Sequence, residues 1–264
     1  MDKVIKVALY SGGLDSFCLA HKVKPDILLY YNVGLPENKP EMAAICALMD
    51  INGLPAPVTF DDRYHLAPYK LQNEVMPFRN LLFIAGAFTY GSIVYLGKTA
   101  SSTNLDKDTT FAEKALDVLK YVSSDPRKNP PHLREHDMRI EMPFDKKTKS
   151  QFVAEFIADG GNVDHLLKTR SCYKPYGKEC GECVSCVRKS IALVNNGLYT
   201  QSMFEQDPAL LYPAYLKEVR SRMWTGSGPK SADGRLLTPR YMDVETEIMR
   251  AIDKRFIVSP LTQE

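Results

Sequence analysis

The sequence predicts an α/β fold: a doubly wound, mostly parallel sheet with a small four-cysteine module and a helical C-terminal extension. Three observations lead there. Short apolar runs alternate with amphipathic stretches from residue 4 to residue 159, the order that produces parallel strands joined by crossover helices. The runs DILLYYNV and SIVYL are nearly continuous in apolar character, as strands covered on both faces must be. Four cysteines then crowd into residues 172–186, and two amphipathic stretches follow.

Val4–Tyr10 is expected to be the first strand, and Leu14–Lys22 the first helix. Asp26–Val33 forms the second strand, and Asn38–Ile51 a helix that stops at Asn52-Gly53. Pro57–Phe60 is a third strand, Asn80–Tyr90 a helix, Ser92–Leu96 a fourth strand, Phe111–Tyr121 a helix and Arg139–Met142 a fifth strand. Thr148 and Gln151 have the spacing of a capping box, so a helix begins there and runs to about Asp159 before Gly160-Gly161. The proline-rich and charged segment 122–138 is expected to be an exposed insertion. Ala209–Trp224 and Val244–Lys254 are expected helices, with TGSGPKSADG as the linker between them. No internal repeat is visible.

Composition narrows the function classes. Charge is nearly balanced at +2, which excludes polyanion binding by bulk charge, though not by a local patch. No apolar run reaches the 18 residues a membrane helix needs, and the N-terminus shows no cleavable leader. A cytoplasmic protein without a membrane partner is the expectation. Under reducing conditions the clustered Cys172, Cys180, Cys183 and Cys186 favour metal over disulfides. Cys18 and Cys46 are expected to pack as small apolar side chains.

Ser11-Gly12-Gly13-Leu14-Asp15-Ser16 joins the first strand to the first helix. Adjacent glycines let a ligand approach the main chain, and a helix start favours anions, so the stretch suits a polyphosphate. The serines add hydroxyls; Asp15 would oppose phosphate unless it holds magnesium or orients the loop. A plain turn, with Asp15-Ser16 as a helix cap, fits the spacing as well. Gly91 to Gly97-Lys98-Thr99 is no second phosphate loop, because five residues, an apolar strand, separate the glycines where that motif has four.

The cysteine pattern C-x7-C-x2-C-x2-C offers four thiolates for a closed, structural zinc site, with Gly177 and Gly181 making the turns. Lys174, Lys178, Arg188 and Lys189 stand close enough in sequence to offset its negative charge. An iron–sulfur cluster is the competing reading, but the ferredoxin continuation with a fourth cysteine and proline is missing.

SGGLDS after a first strand resembles the phosphate-loop signature of the ATP-pyrophosphatase family, whose members cleave ATP between its α and β phosphates. With Pro77-Phe78-Arg79-Asn80, Thr148-Lys149 and Ser171-Cys172-Tyr173 through Cys180-Gly181-Glu182-Cys183-Val184-Ser185-Cys186, the order of motifs resembles the 7-cyano-7-deazaguanine synthases of the queuosine pathway. That resemblance implies an ATP- and magnesium-dependent ligase, which converts 7-carboxy-7-deazaguanine and ammonia to the nitrile through adenylated carboxylate and amide. It places Ser11, Gly12, Gly13, Leu14, Asp15, Ser16, Arg79 and Asn80 at the nucleotide, Asp15, Arg79 and Lys149 in catalysis, and zinc on the four cysteines. A surface role is the alternative for Arg79 and fits Lys149 equally well, and Asp106 and Asp108 fit magnesium, the purine edge or a solvated loop.

The chain then divides into a phosphate-loop domain (1–168), a zinc module (169–197) and an extension (198–264) longer than the family usually carries. The extension could serve a homodimer, the expected assembly, or a protein or nucleic-acid partner. Other readings are an amide synthase, a ligase attaching the deazaguanine to a macromolecule, a tRNA thiolase or sulfonucleotide reductase, and a non-enzymatic zinc-stabilised binding module. His132 and His136 are expected to be solvated.

Overall fold

The buried apolar runs become five strands, β1 (Lys6–Leu9), β2 (Ile27–Tyr31), β3 (Val58–Asp61), β4 (Ile93–Tyr95) and β5 (Arg139–Glu141). All pair in parallel, in the order β3-β2-β1-β4-β5. The computed structural model describes all residues except 1–3, 73–75, 101, 103–104, 126, 128–132, 134–136, 176, 225–237 and 258–264. The helices are α1 (Leu14–Val23), α2 (Asn38–Asp50), α3 (Arg79–Ala87), α4 (Thr109–Ser123), α5 (Lys149–Ala158), α6 (Val163–Leu167), α7 (Val184–Asn195), α8 (Tyr212–Trp224) and α9 (Thr238–Ile252).

Alternation along the strands builds the two layers. Ala8, Leu28, Tyr30, Ile93 and Tyr95 point to one face, where Leu14 and Phe17 of α1, Ile45 and Leu48 of α2, and Phe152 and Phe156 of α5 cover them. Val7, Leu29, Tyr31 and Val94 point to the other and meet Ile84 and Ala87 of α3. Strand order therefore reverses between β1 and β4, and the crevice beyond their carboxyl ends is where such sheets take ligands.

Capping fixes where α5 starts. Thr148 Oγ1 accepts from the Gln151 amide, and Gln151 Oε1 accepts from the Thr148 amide at 2.8 Å, the expected capping box. A third apolar cluster joins Val187, Ile191 and Val194 of α7 to Tyr212, Tyr215 and Val219 of α8 and to Val244, Ile248 and Ala251 of α9. The C-terminal helices are thus fastened to α7, whose opposite side lies on the main core through Ala192 and Leu193.

Cys18 is buried, but Cys46 is exposed: α2 turns Ile45 and Leu48 inward and leaves Cys46 on the outer side. Of the 122–138 insertion, Leu133 and Met138 are buried in the second face's core rather than solvated. His132, His136 and the TGSGPKSADG linker lie outside the described residues. Among the described residues no helix is long and apolar enough to cross a membrane.

Candidate active site

The bend after β1 enters α1 with Gly12 at φ +70° and Gly13 as the N-cap. A side chain at Gly12 would meet Ile45 Cγ1 at 2.9 Å and the Glu41 carbonyl at 3.2 Å, so the turn needs glycine on both conformational and steric grounds. Both glycine carbonyls are tied to the protein. Gly12 O accepts from the Arg170 amide at 2.9 Å, while Gly13 O accepts from the Phe17 amide at 3.0 Å and from Ser16 Oγ at 3.1 Å. Ser16 Oγ also accepts from the Ser11 amide at 3.2 Å. Neither Asp15 nor Ser16 caps α1, because both sit inside its first turn and Gly13 provides no side chain. The Leu14 amide, one of the donors an α-helix start leaves unmet, reaches Ser171 Oγ at 3.3 Å. Ser171 is thereby a part of the loop that its sequence neighbourhood does not announce.

Three other elements bring charge to this bend. Lys149, at the start of α5, makes an ion pair with Asp15 of α1. Arg79 opens α3, and the next residue, Asn80, is buried and donates through Nδ2 to Asp106 Oδ2 at 2.6 Å. Lys107, in the short helical turn Leu105–Lys107 beyond β4, stands within electrostatic reach of Arg79, Asp106, Asp15 and Lys149. Burial pushes its ammonium below the ordinary lysine value, and Arg79 and Lys149 add to that while the two aspartates oppose it. Gly97 borders this bend, where a Cβ would stand 3.9 Å from Asp15 Cβ and from the Ser16 amide, an ordinary contact. Asp108 belongs elsewhere: its carboxylate caps α4, accepting from the Phe111 amide at 2.6 Å.

Glu41 of α2 lies within electrostatic reach of Arg79. Burial pushes its carboxyl from 4.5 up to about 7, against hydrogen bonds from Tyr30 Oη and Asn38 Nδ2 and the attraction of Arg79. A raised acid pKa means the folded chain holds the proton more tightly than the unfolded one. Stability then falls as pH rises from the unfolded value, about 4.5, to about 7. Glu41→Gln, which mimics the neutral form, is expected to match the wild type near pH 4 and to exceed it by about 3 kcal/mol above pH 7. Urea melts at the two pH values read the difference, and equal gaps at both would refute the assignment.

Phe78 is the N-cap of α3 at φ 60°, a left-handed conformation costly for a side chain with a Cβ, and its ring is 74 % exposed. Phe78→Gly is expected to melt at or above the wild-type temperature, gaining up to about 1 kcal/mol, while Phe78→Ala is not.

The four cysteine sulfurs all lie within 4.8 Å of one another. Cys183 and Cys186 Sγ are 3.5 Å apart, and Cys180 and Cys186 Sγ 3.9 Å. A tetrahedron of thiolates around zinc has edges of about 3.8 Å, so the arrangement fits the ion. Main-chain amides already face the sulfurs: Lys174 N and Cys180 N donate to Cys172 Sγ at 3.3 and 3.2 Å, and Cys183 N donates to Cys180 Sγ at 3.3 Å. Such donors favour thiolates. Gly181 at φ 80° makes the turn, and a Cβ there would sit 1.9 Å from the Gln206 carbonyl oxygen. The neighbouring cations do less for the cluster than their spacing suggests. Lys174 pairs with Glu205, Arg188 donates to Tyr215 Oη at 2.7 Å, and the buried Lys189 pairs with Glu179 at 2.9 Å.

This geometry can be set beside known proteins. The sequence matches the family described as queuosine biosynthesis protein QueC over residues 56–197, more than half of the chain. The chain belongs to the QueC family. That span holds Arg79, Asn80, Lys149 and the four cysteines and begins after the glycine loop. Curated relatives extend the likeness. A 7-cyano-7-deazaguanine synthase of Psychromonas ingrahamii is 25% identical over 228 residues, covering 75% of this chain and 97% of the relative. That of Marinobacter nauticus is 25% identical over 229 residues, covering 76% and 97%. That of Rhizobium meliloti is 25% identical over 211 residues, covering 69% and 84%. No solved structure matches. QueC relatives are thus covered almost whole by three-quarters of this chain, and the family match ends before α8.

Proposed function

We propose that the chain converts 7-carboxy-7-deazaguanine and ammonia to 7-cyano-7-deazaguanine in the queuosine pathway, consuming two ATP. It is an enzyme of the carbon–nitrogen ligase type. The observation that carries the site assignment is convergence: the glycine bend, Arg79, Lys107 and Lys149 reach one crevice from four separate elements at the switch point.

A carboxylate is a poor electrophile until one of its oxygens becomes a leaving group. Attack of that oxygen on the α-phosphate of ATP expels pyrophosphate, which the loop amides of Ser11–Ser16 and the N-terminus of α1 receive. Arg79, with a planar fork suited to paired oxygens, holds the α-phosphate and the entering carboxylate. Ammonia then displaces AMP, with loss of a proton, to give the amide. The amide oxygen attacks a second ATP, again releasing pyrophosphate, and departure of AMP with loss of the nitrogen's two protons leaves the nitrile. Lys107 and Lys149 offset charge that accumulates as the phosphates separate. Asn80 and Asp106 hold α3 to the loop beyond β4. Magnesium accompanies ATP and seeks oxygen ligands, and Asp15 and Asp106 are the carboxylates that would hold it. Zinc on Cys172, Cys180, Cys183 and Cys186 is structural, its four positions filled by protein.

The same reading divides the chain at about residues 168 and 197, places it in the cytoplasm and has it act as a homodimer. The deciding experiment is incubation with ATP, magnesium, ammonium and the deazaguanine acid, followed by mass spectrometry. The nitrile, with two AMP per product, is expected; amide as the end product, or no AMP, overturns the assignment.

A further inference from the structure

Glu247, in the quarter of the chain beyond the QueC-matched span, bonds directly to the turn that carries Lys149. Glu247, on α9, is 9 % exposed and takes two hydrogen bonds through one carboxylate oxygen. Oε1 accepts from the Ser150 amide at 2.8 Å and from Ser150 Oγ at 2.5 Å. Ser150 follows Lys149, the residue that grips Asp15 in the phosphate loop. Asn195, which ends α7, closes the network: its Nδ2 donates to Ser150 Oγ and to the Glu247 carbonyl, both at 2.9 Å. Thr148 also reaches the Glu247 carboxylate, and Lys149 attracts it. A small cavity between α5, α7, α8 and α9 is lined by Lys149, Arg188, Tyr215 and Glu247, so Lys149 and Glu247 border the same space.

The chemistry of a helix start explains the effect. The Thr148–Gln151 capping box satisfies two of the donors at the N-terminus of α5. Glu247 satisfies a third, the Ser150 amide, while burial pushes its carboxyl above the ordinary glutamate value. The helix start is thereby fixed by a carboxylate that lies 97 residues further along the chain. Lys149 emerges from this clamped turn, so the direction in which its ammonium leaves the helix depends on α9.

We infer that Glu247 is a positioning residue: the C-terminal extension uses its carboxylate to lock the α5 start, so that Lys149 is aimed at Asp15 and the phosphate crevice. The inference rests on the ATP-dependent reading above.

Its test compares Glu247→Ala and Glu247→Gln with Val219→Ala, which loosens the same α8–α9 packing without touching α5. Pyrophosphate release is followed with KM for ATP and kcat measured separately, and melting is recorded for each variant. Glu247→Ala is expected to lower kcat at least tenfold per folded molecule. Glu247→Gln, which keeps an oxygen for Ser150, is expected to recover a large part of that loss. Val219→Ala is expected to melt lower yet keep wild-type kcat and KM. The inference is overturned if Glu247→Ala and Val219→Ala show the same kinetics, or if Gln is no better than Ala. A wild-type chain that releases no pyrophosphate would instead overturn the functional reading itself.

Discussion

Lys149→Met is expected to reduce AMP formation by about 10³-fold and to weaken ATP binding as well, leaving the sheet folded. The size follows from charge. At an effective dielectric of about 20, two unit charges at about 4 Å interact by about 4 kcal/mol. Losing the Lys149 ammonium deprives the phosphates of a cation and leaves the Asp15 carboxylate facing them without its partner. The two effects have the same sign, which is why the single variant should be worse than removal of the pair. Asp15→Asn combined with Lys149→Met is therefore expected to recover ATP affinity relative to Lys149→Met alone, though not kcat. A double-mutant cycle on KM and kcat measures this coupling. Additive losses in KM would mean that Asp15 and Lys149 do not act on the phosphates as a pair.

Much of this architecture could be read in the sequence because burial leaves a direct mark. DILLYYNV and SIVYL had no other plausible place than the middle of a covered sheet, and both strands are there, trimmed at their ends to Ile27–Tyr31 and Ile93–Tyr95. The Thr148–Gln151 capping box was legible because both partners are local. The cysteine spacing carried the metal site for the same reason. What escaped was α7: Val187, Ile191 and Val194 recur at helical spacing, but the reading stopped at the last cysteine. Lys107, Ser171 and Glu247 escaped on different grounds. Each acts through a contact made across the fold, such as Ser171 at the first turn of α1, 157 residues away, and no local pattern encodes such a contact. Cys46 shows the converse error, where apolar periodicity was credited to a residue one step off the buried face of α2.

Loss of the metal, by chelation or by Cys186→Ser, is expected to abolish ATP binding while most of the helix and sheet signal survives. Cys186 is fully buried, and its sulfur lies within reach of the three other thiols. Metal–thiolate bonds would be what joins these four sulfurs, so the segment around Cys172, Cys180 and Cys183 should loosen without zinc. Its loosening reaches the active site through Arg170 and Ser171. The Arg170 guanidinium donates to the Lys174 and Gly177 carbonyls at 2.7 and 2.9 Å, and its amide holds Gly12 O. Ser171 receives the Leu14 amide, while Glu179 of the same segment accepts from the Ser171 amide at 2.6 Å. A metal held by these cysteines would touch no substrate, yet through these bonds it would fix the back of the phosphate loop. Hydrogen exchange should show the amides of Leu14 and Arg170 losing protection in step with zinc content, and readdition of zinc should restore them together with nucleotide binding. Full ATP affinity in metal-free protein would show instead that the loop holds its shape unaided, and that the cysteine segment serves only its own stability.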